Sequence, residues 1–294
     1  MARGPVAAVV VGGLVAATVA IAGLPATAED AGGCSATPPT GAVTFGELGR
    51  YETHPPAGSV QTAAEIVAYE ADTLYVMNIG AVDVVDISDP TAPVRTAQLI
   101  LPGEPTSVAV NDGLLAVAVP AAVKTDPGRV LFFRGATQVG DVTVGALPDM
   151  VTFTPDGKLL AVANEGEPNS YGLADSVDPQ GTISVITTAS FRTPGRSNGS
   201  AQPVATIDFS AFNAGGARHG ELPADVRIFG PGASVAQDLE PEYITIADDN
   251  RTAWVSLQET TCGTRFPTVA RATGPTTVAG STCRTPRCRA VWVV

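Results

Sequence analysis

The sequence is poor in the residues on which most catalytic sites depend. Its 294 residues include two histidines, His54 and His219, and neither lies in a recognisable motif. The one G-x-S-x-G match, residues 195–199, does not directly follow an apolar strand-like run, so it is not a nucleophile elbow, and the chain contains no phosphate-binding glycine loop. These absences argue against a Ser-His-Asp triad and against phosphate binding by a loop of the usual kind.

Positive charge is also scarce. The chain has 17 Lys and Arg against 29 Asp and Glu, a formal net charge of −12. This balance argues against binding to nucleic acid or to an anionic membrane surface. It fits an exported soluble protein and supplies carboxylates for a hard cation such as calcium. The alternative is that the acidity serves solubility alone.

Cysteine is rare and unevenly placed. Three of the four cysteines, Cys262, Cys283 and Cys288, fall within the last 35 residues. Their spacing does not match a zinc site, and no histidine lies nearby. We therefore assign the cysteines no function.

The N-terminal segment predicts export. Arg3 precedes an apolar run over residues 6–24, and Ala26-Thr27-Ala28 resembles a cleavage site. We expect a signal peptide over residues 1–28, and an uncleaved membrane anchor is the alternative. Residues 29–58 are rich in Pro, Gly, Ala and Thr, which predicts a flexible lead-in. After cleavage we expect no stable membrane span and a secreted or cell-surface location.

The remaining sequence predicts an all-β protein with many short strands. Gly and Pro are abundant at 31 and 24 residues, and alternating Val, Ile and Thr runs are separated by turn residues. The strongest hairpin signal joins two such runs at Pro155-Asp156-Gly157-Lys158. Predicted strands cover residues 65–69, 73–77, 81–87, 94–101, 106–110, 114–119, 129–133, 138–144, 150–154, 159–163, 181–186, 204–209, 242–246 and 252–257.

These strands repeat in units of four. Ile66, Val108, Val151 and Ile244 are equivalent, and they are spaced by 42, 43 and 93 residues. A period of about 40 to 45 residues with four strands is typical of β-propeller blades. The long third step is one blade plus a Gly-rich insertion over residues 210–240, which has room for one short helix. A β-sandwich is the alternative, but it does not require the fixed spacing.

Several long motifs resemble one family, the choice-of-anchor I domain of exported bacterial proteins, which is related to the mesenchyme-specific cell-surface glycoprotein group. The resemblance covers residues 45–259 and implies a WD40/YVTN-like propeller, sometimes fused to phosphoesterase domains, with no agreed reaction. The motifs that carry the resemblance are residues 147–157, 161–168, 178–181, 226–233 and 236–244.

The sequence departs from the family pattern after Glu259. Residues 260–294 contain no Asp, Glu, Lys, Leu, Ile, Asn or Gln, yet they hold five of the 17 basic residues. In the family pattern this glutamate is followed by Asn-Asn. Loss of one base from the codons for Glu-Asn-Asn would shift the reading frame and yield Glu-Thr-Thr-Cys, which is the sequence found at residues 259–262. We predict an out-of-frame tail over residues 260–294, with a divergent genuine tail as the alternative. The partial propeller over residues 59–259 is then incomplete, with about three full blades and half of a fourth.

Polar residues at equivalent strand ends are the candidate site. Asp149 and Glu242 each follow a proline at the start of a first strand, which in a propeller lines the central channel. Glu165 follows a second strand. We predict that these three carboxylates lie near one channel mouth and could hold calcium, which takes six to eight oxygen ligands. The alternative is that they are solvated or cap strand ends. Further candidate ligand residues are Asn78, Asn164, Glu167, Asp178 and Glu259.

Two functions remain open. The first is a non-catalytic propeller that acts as a binding or scaffold module for an unknown surface or extracellular ligand. The second is a calcium-dependent hydrolase, phosphoesterase- or lactonase-like, in which the ion polarises the substrate and activates a water. The sequence does not decide whether the protein is an enzyme.

Overall fold

The computed structural model confirms an all-β protein. It describes residues 46–53, 66–193, 205–222 and 226–257 with their side chains, and the backbone of residue 204 and of strands 268–273, 278–279 and 291–293. Seventeen strands in these ranges form four small sheets, and helices are few and short. None of the helices in these ranges is long and apolar enough to cross a membrane. The predicted signal peptide lies outside the described residues.

The first two sheets are antiparallel meanders whose strands pair in chain order. Every predicted strand in residues 65–144 is confirmed. The first sheet contains β1 (Val67–Glu70), β2 (Thr73–Asn78), β3 (Ala81–Asp86) and β4 (Val94–Ile100). The second sheet contains β5 (Ser107–Asn111), β6 (Leu114–Val119), β7 (Pro127–Arg134) and β8 (Thr137–Ala146).

The third sheet repeats this pattern and carries a short helix. Its strands are β9 (Pro148–Phe153), β10 (Leu159–Asn164), β11 (Thr182–Thr187) and β12 (Val204–Asp208), with α1 (Ala189–Arg192) after β11. The predicted Pro-Asp-Gly hairpin joins β9 to β10. Gly157 adopts a φ of 67°, and the Asp156 carboxylate accepts a hydrogen bond from the Lys158 amide at 3.1 Å. The turn therefore uses the left-handed glycine and the Asx contact that its sequence predicts.

The fourth sheet differs from the prediction of half a blade. It begins as expected with β13 (Pro241–Ile246) and β14 (Thr252–Leu257), but β14 also pairs with β15 (Thr268–Thr273) and β17 (Val291–Val293), and β16 (Val278–Ala279) pairs with β15. An unpaired edge of β14 offers free backbone groups, and the Val- and Thr-rich pieces of the tail can pair with it. Segments in which the sequence shows no continuing alternation are therefore strands in the structure.

The sheets are arranged as in a propeller, with their first strands side by side. β1 lies against β5, β5 against β9 and β9 against β13. Each pair of consecutive sheets encloses an apolar layer, represented by Val82 and Val117, by Phe132 and Leu160, and by Ile183 and Val255. Because the first strands are neighbours, side chains at their ends can meet although they are far apart in the sequence.

Two other segments pack onto the sheets. Tyr51 belongs to the predicted flexible lead-in, but it is buried, and its hydroxyl donates to Asp83 at 2.8 Å. This part of the lead-in is therefore fastened to the first sheet. The insertion contains one short helix, α2 (Val235–Asp238), as its sequence allows, and two 3-10 turns at Ser210–Phe212 and His219–Glu221. Phe212 from the insertion is buried between the third and fourth sheets.

Candidate functional site: an acidic mouth

The two predicted carboxylates Asp149 and Glu242 occupy equivalent β-bulges. In the antiparallel pairing of β9 with β10, Met150 lies opposite Ala163 and Pro148 lies opposite Asn164. Asp149, between them, therefore has no partner on β10. Glu242 lies in the irregular stretch of β13, between the pairs Pro241–Leu257 and Ile244–Val255. A bulge bends its strand and redirects the side chain of the extra residue. Both carboxylates are therefore turned out of the regular alternation of their strands.

A strained backbone precedes each bulge. Leu147 and Glu240, the residues before Pro148 and Pro241, adopt positive φ values of 47° and 35°. The residue before a proline prefers extended conformations, and a left-handed non-glycine residue stores about 1–3 kcal/mol of strain. We name the segments 147–149 and 240–242 the proline corners. The same unusual conformation at two equivalent positions marks them as built features.

Each proline corner packs against a glycine of the preceding sheet. A Cβ on Gly128 would lie 2.5 Å from Cδ of Pro148, and a Cβ on Gly181 would lie 2.5 Å from Cδ of Pro241. Contacts this short leave no room for a side chain. The glycines at the start of β7 and just before β11 therefore allow the next corner to approach closely.

The third predicted carboxylate, Glu165, is tied to the first corner through its backbone. The amide of Glu165 donates to the carbonyl of Leu147 at 2.9 Å, and that of Gly166 donates to Ala146 at 3.2 Å. Glu165 and Asp149 are both half-buried. The loop that follows β10 is thus held against the start of β9 by main-chain bonds that do not depend on the acidic side chains.

The carboxylates at this end of the sheets form one electrostatic cluster. Burial, and then the charges of Asp149, Glu167, Glu240 and Glu242 in that order, raise the pKa of Glu165 to about 8. Burial also raises the pKa of Asp149. We name these five acids the acidic mouth. The structure thus brings together Asp149, Glu165 and Glu242, and at neutral pH Glu165 retains its proton most of the time.

One member of the mouth, Glu240, and two partners of its acids, Tyr171 and Lys124, were missed by the sequence analysis. Glu240 is buried, and its carboxylate accepts a hydrogen bond from the Tyr171 hydroxyl at 3.4 Å. Its place before Pro241, equivalent to Leu147, was a usable signal. Lys124, in the loop between β6 and β7, forms an ion pair with Glu167 at 2.6 Å. No sequence pattern connects Lys124 to Glu167, since the contact joins two different sheets.

Two of the other candidate residues, Asn78 and Asn164, are engaged in local hydrogen bonds. The Asn78 side chain is buried, donates to Asp83 at 3.2 Å and accepts from the Ile79 amide at 2.8 Å. The buried Asn164 donates to Ser184 at 2.9 Å. Burial and the nearby Asp238 raise the pKa of Asp178. None of the three contributes to the raised pKa of Glu165. Glu259 lies outside the described residues.

The acids that the structure describes do not present a ready-made ligand set for calcium. Within the described residues, no group of three or more His, Cys, Asp and Glu side chains is placed to hold a metal ion in common. Calcium requires six to eight oxygen ligands at about 2.3–2.6 Å. The carboxylates thus share a region without presenting a ready ligand set, and calcium binding stays a prediction.

Comparisons with solved structures find distant likenesses. The chain is similar to hydrazine synthase of Kuenenia stuttgartiensis, with 17% identity, 73% of this chain and 48% of that chain covered, and a TM-score of 0.42. It is similar to Hsv2 of Kluyveromyces lactis at 12% identity, with 67% of this chain and 46% of that chain covered and a TM-score of 0.38. It is also similar to the computationally designed protein Ika4 at 12% identity, with 74% of this chain and 96% of that chain covered and a TM-score of 0.42. The chain spans about half the length of the first two, and these values transfer no activity to it.

The family comparison is decisive where the structural one is not. A search of curated protein sequences finds no match. The family model described as "Choice-of-anchor I domain" matches residues 65–261, which is more than half of the chain. This range contains all four first strands, both proline corners and the whole acidic mouth. The chain therefore belongs to the choice-of-anchor I domain family.

Proposed function

We propose that this chain is an exported, propeller-like binding module at the cell surface, and that its ligand site is the acidic mouth. The observation that carries the proposal is the construction of the mouth. Two proline corners with equivalent strain and equivalent glycine contacts redirect Asp149 and Glu242 to the region of Glu165. Strain that recurs at equivalent positions and directs side chains into one cluster is characteristic of a ligand site.

The electrostatics favour a cationic ligand. Five carboxylates crowd together, and Lys124 pairs with one of them, Glu167, at 2.6 Å. A cation in the mouth would relieve the mutual repulsion and favour ionisation of Glu165. Organic cations such as lysine or arginine side chains suit the mouth better than a metal, because they do not require a complete shell of oxygen ligands.

A titration of the full chain with a hexalysine peptide tests this proposal. We expect isothermal titration calorimetry to detect binding, and the variant Asp149→Asn/Glu165→Gln/Glu242→Gln to lower the affinity at least about tenfold. The matched control Glu52→Gln/Asp72→Asn/Asp248→Asn removes three exposed acids that lie away from the starts of the first strands, and it should change the affinity much less. Equal losses of affinity in the two variants would show that net charge alone attracts the peptide, and this result would contradict the proposal.

A hydrolase is the second candidate, and one observation favours it. A glutamic acid whose pKa is raised to about 8 beside other carboxylates is suited to general acid–base catalysis near neutral pH. Assays with a phosphate ester and a lactone, with calcium and with a chelator, would test this candidate. Turnover that is lost in Glu165→Gln would support it. A hydrolysis rate that is the same in Glu165→Gln as in the wild type would contradict the hydrolase candidate.

We infer further that the propeller is incomplete in this chain and that residues 260–294 are read out of frame. The family match ends at residue 261, two residues beyond the predicted departure at Glu259. In the structure the tail pairs with β14 through strands that the sequence pattern does not anticipate. Resequencing of the coding region is the test. An intact reading frame through this tail that recurs in close relatives would overturn the inference.

A further inference from the structure

Large apolar side chains are exposed beside the acidic mouth. Tyr171, Leu173 and Phe229 are 43%, 64% and 56% exposed, and the Tyr171 and Phe229 rings meet edge to face with centroids 6.4 Å apart. We name these three residues the aromatic shelf. Single exposed apolar residues are ordinary on a protein surface, but a contiguous group marks an interaction site.

The loop that carries Tyr171 and Leu173 is braced internally. The side-chain amide of Asn169 donates to the Asp175 carbonyl at 3.0 Å, and its oxygen accepts from the Val177 amide at 2.7 Å. The Ser176 hydroxyl donates to the Ser170 carbonyl at 2.7 Å. The two shelf residues are thus exposed on a loop whose conformation is already determined, which lowers the entropy lost on binding.

The third shelf residue is held by the insertion. The Asp238 carboxylate in α2 accepts hydrogen bonds from the backbone amides of Phe229 and Gly230, the second at 2.6 Å. The Arg227 guanidinium lies 4.4 Å from the centroid of the Phe229 ring and covers one of its faces. Phe229 nevertheless remains more than half exposed. The shelf therefore joins two segments, the loop after β10 and the insertion.

The shelf is continuous with the mouth. The Tyr171 hydroxyl donates to Glu240, which is itself one of the five acids of the mouth. The loop over residues 165–181 contains Glu165, Glu167, Asp175 and Asp178 and no Lys, Arg or His. An apolar surface that borders a strongly negative one is complementary to a partner that carries a positive group between apolar groups.

From this continuity we propose that the aromatic shelf and the acidic mouth together dock an extended peptide segment of a partner protein, with a Lys or Arg side chain in the mouth and its apolar neighbours on the shelf. This proposal rests on the proposed function and specifies the partner. The tyrosine and phenylalanine would act as the apolar anchors that dominate many interfaces. The carboxylates would select the basic residue and reject acidic sequences.

Fluorescence anisotropy with two labelled pentapeptides tests the docking. The first peptide is Gly-Leu-Lys-Leu-Gly, and the second replaces its lysine by glutamate. On the full chain we expect the lysine peptide to bind at least about tenfold more tightly. Equal binding of the two peptides would overturn the proposal.

Variants separate the two parts of the surface. The shelf variant Leu173→Ser/Phe229→Ser and the mouth variant Glu165→Gln/Glu242→Gln should each weaken binding of the lysine peptide by about tenfold. The control Val94→Ser/Ile100→Ser removes two equally exposed apolar residues from β4, 59% and 68% exposed, and should leave binding unchanged. Unaltered circular dichroism spectra and melting temperatures would show that each variant is folded.

The outcomes distinguish this proposal from the proposed function. Loss of binding in the mouth variant alone would overturn the docking of a peptide on the shelf and leave the cation-binding mouth intact. Unchanged binding in both variants would overturn both. Loss in both variants, with an unaffected control, is the result that the docking proposal requires.

Discussion

Two carboxylates, Asp83 in the first sheet and Glu165 beside the third, have opposite surroundings. Hydrogen-bond donors surround Asp83, whereas other acids surround Glu165. Asp83 is fully buried and accepts hydrogen bonds from Tyr51, Asn78 and Gln98 at 2.8, 3.2 and 2.8 Å, with Arg95 at 3.5 Å. Glu165 is half-buried, and its largest charge interactions are with four other acids. Both residues are acids on blades of the same repeat, so the repeat itself does not explain the difference.

The difference separates a structural carboxylate from one available to a ligand. The charge of Asp83 is fully engaged, because each of its oxygens has donors from neighbouring strands or from the lead-in. The charge of Glu165 is opposed by its surroundings, which raise its pKa to about 8. A buried acid that its own protein stabilises contributes to folding, whereas one that its protein destabilises gains most from an external cation.

Removal of the first carboxylate gives the largest expected effect. We expect Asp83→Ala to lower the free energy of unfolding by about 3–5 kcal/mol, because it leaves three buried or partly buried donors and Arg95 without their acceptor. Urea denaturation of wild type and variant at neutral pH measures this loss. Glu165→Gln serves as the control. If Asp83→Ala lowered the free energy of unfolding no more than Glu165→Gln does, Asp83 would not have the structural role that distinguishes it from Glu165.

The second prediction concerns the corner beside Glu165. A Cβ on Gly181 would lie 2.5 Å from Cδ of Pro241 and 2.9 Å from the carbonyl oxygen of Glu165. We therefore expect Gly181→Ala to lower the free energy of unfolding by about 2 kcal/mol through overpacking. In Gly220→Ala the added Cβ meets no atom within 4 Å, and the change should stay within about 0.5 kcal/mol.

The same variant also tests whether the corner positions the mouth. Displacement of the second corner should weaken hexalysine binding in Gly181→Ala at temperatures where the variant remains folded. Binding that is unchanged while stability falls would show that the corner serves packing alone.

The third and smallest prediction is a pH dependence of stability. The folded chain holds a proton on Glu165 up to a pH of about 8, whereas the unfolded chain releases it near the ordinary value of 4.5. The native state therefore binds more protons between these values, and stability must fall as pH rises through this window. Discounted for solvent screening, we expect a contribution of about 1 kcal/mol.

Chemical denaturation at several pH values across this window measures the effect. The decline of stability with rising pH should be smaller in Glu165→Gln, which cannot ionise. The isosteric control Glu52→Gln, at an exposed position, should retain the decline of the wild type. An identical slope in wild type and Glu165→Gln would show that Glu165 is not held protonated.

Strand positions could be predicted from the sequence because alternation is a local property. The period-2 pattern and the turn residues located all fourteen strands between residues 65 and 257. The equivalence of Pro148-Asp149 and Pro241-Glu242 then brought two distant acids to one region, since a repeat places equivalent residues at equivalent points around an axis. Glu165 followed from the same reasoning, and the charges of Asp149 and Glu242 are, after burial, among the causes that raise its pKa to about 8.

Contacts between sheets could not be predicted in the same way. The pairing of Lys124 with Glu167, of Tyr171 with Glu240 and of Tyr51 with Asp83 depends on how loops of different sheets meet. The strands of the tail were missed because a low-alternation segment can still complete an unpaired edge. In each case the relevant energy arises from a partner that is distant in the sequence.

The sequence by itself determined the all-β class, the repeat of four strands and the acidic character of the chain, because each follows from patterns read within a few residues or from composition. The tertiary structure alone decided which groups surround each buried acid. It satisfied Asp83 with donors from the lead-in and from neighbouring strands, and it surrounded Glu165 with four carboxylates. The physical reason is that desolvation and Coulomb energy depend on distance in space, and the chain order does not specify that distance.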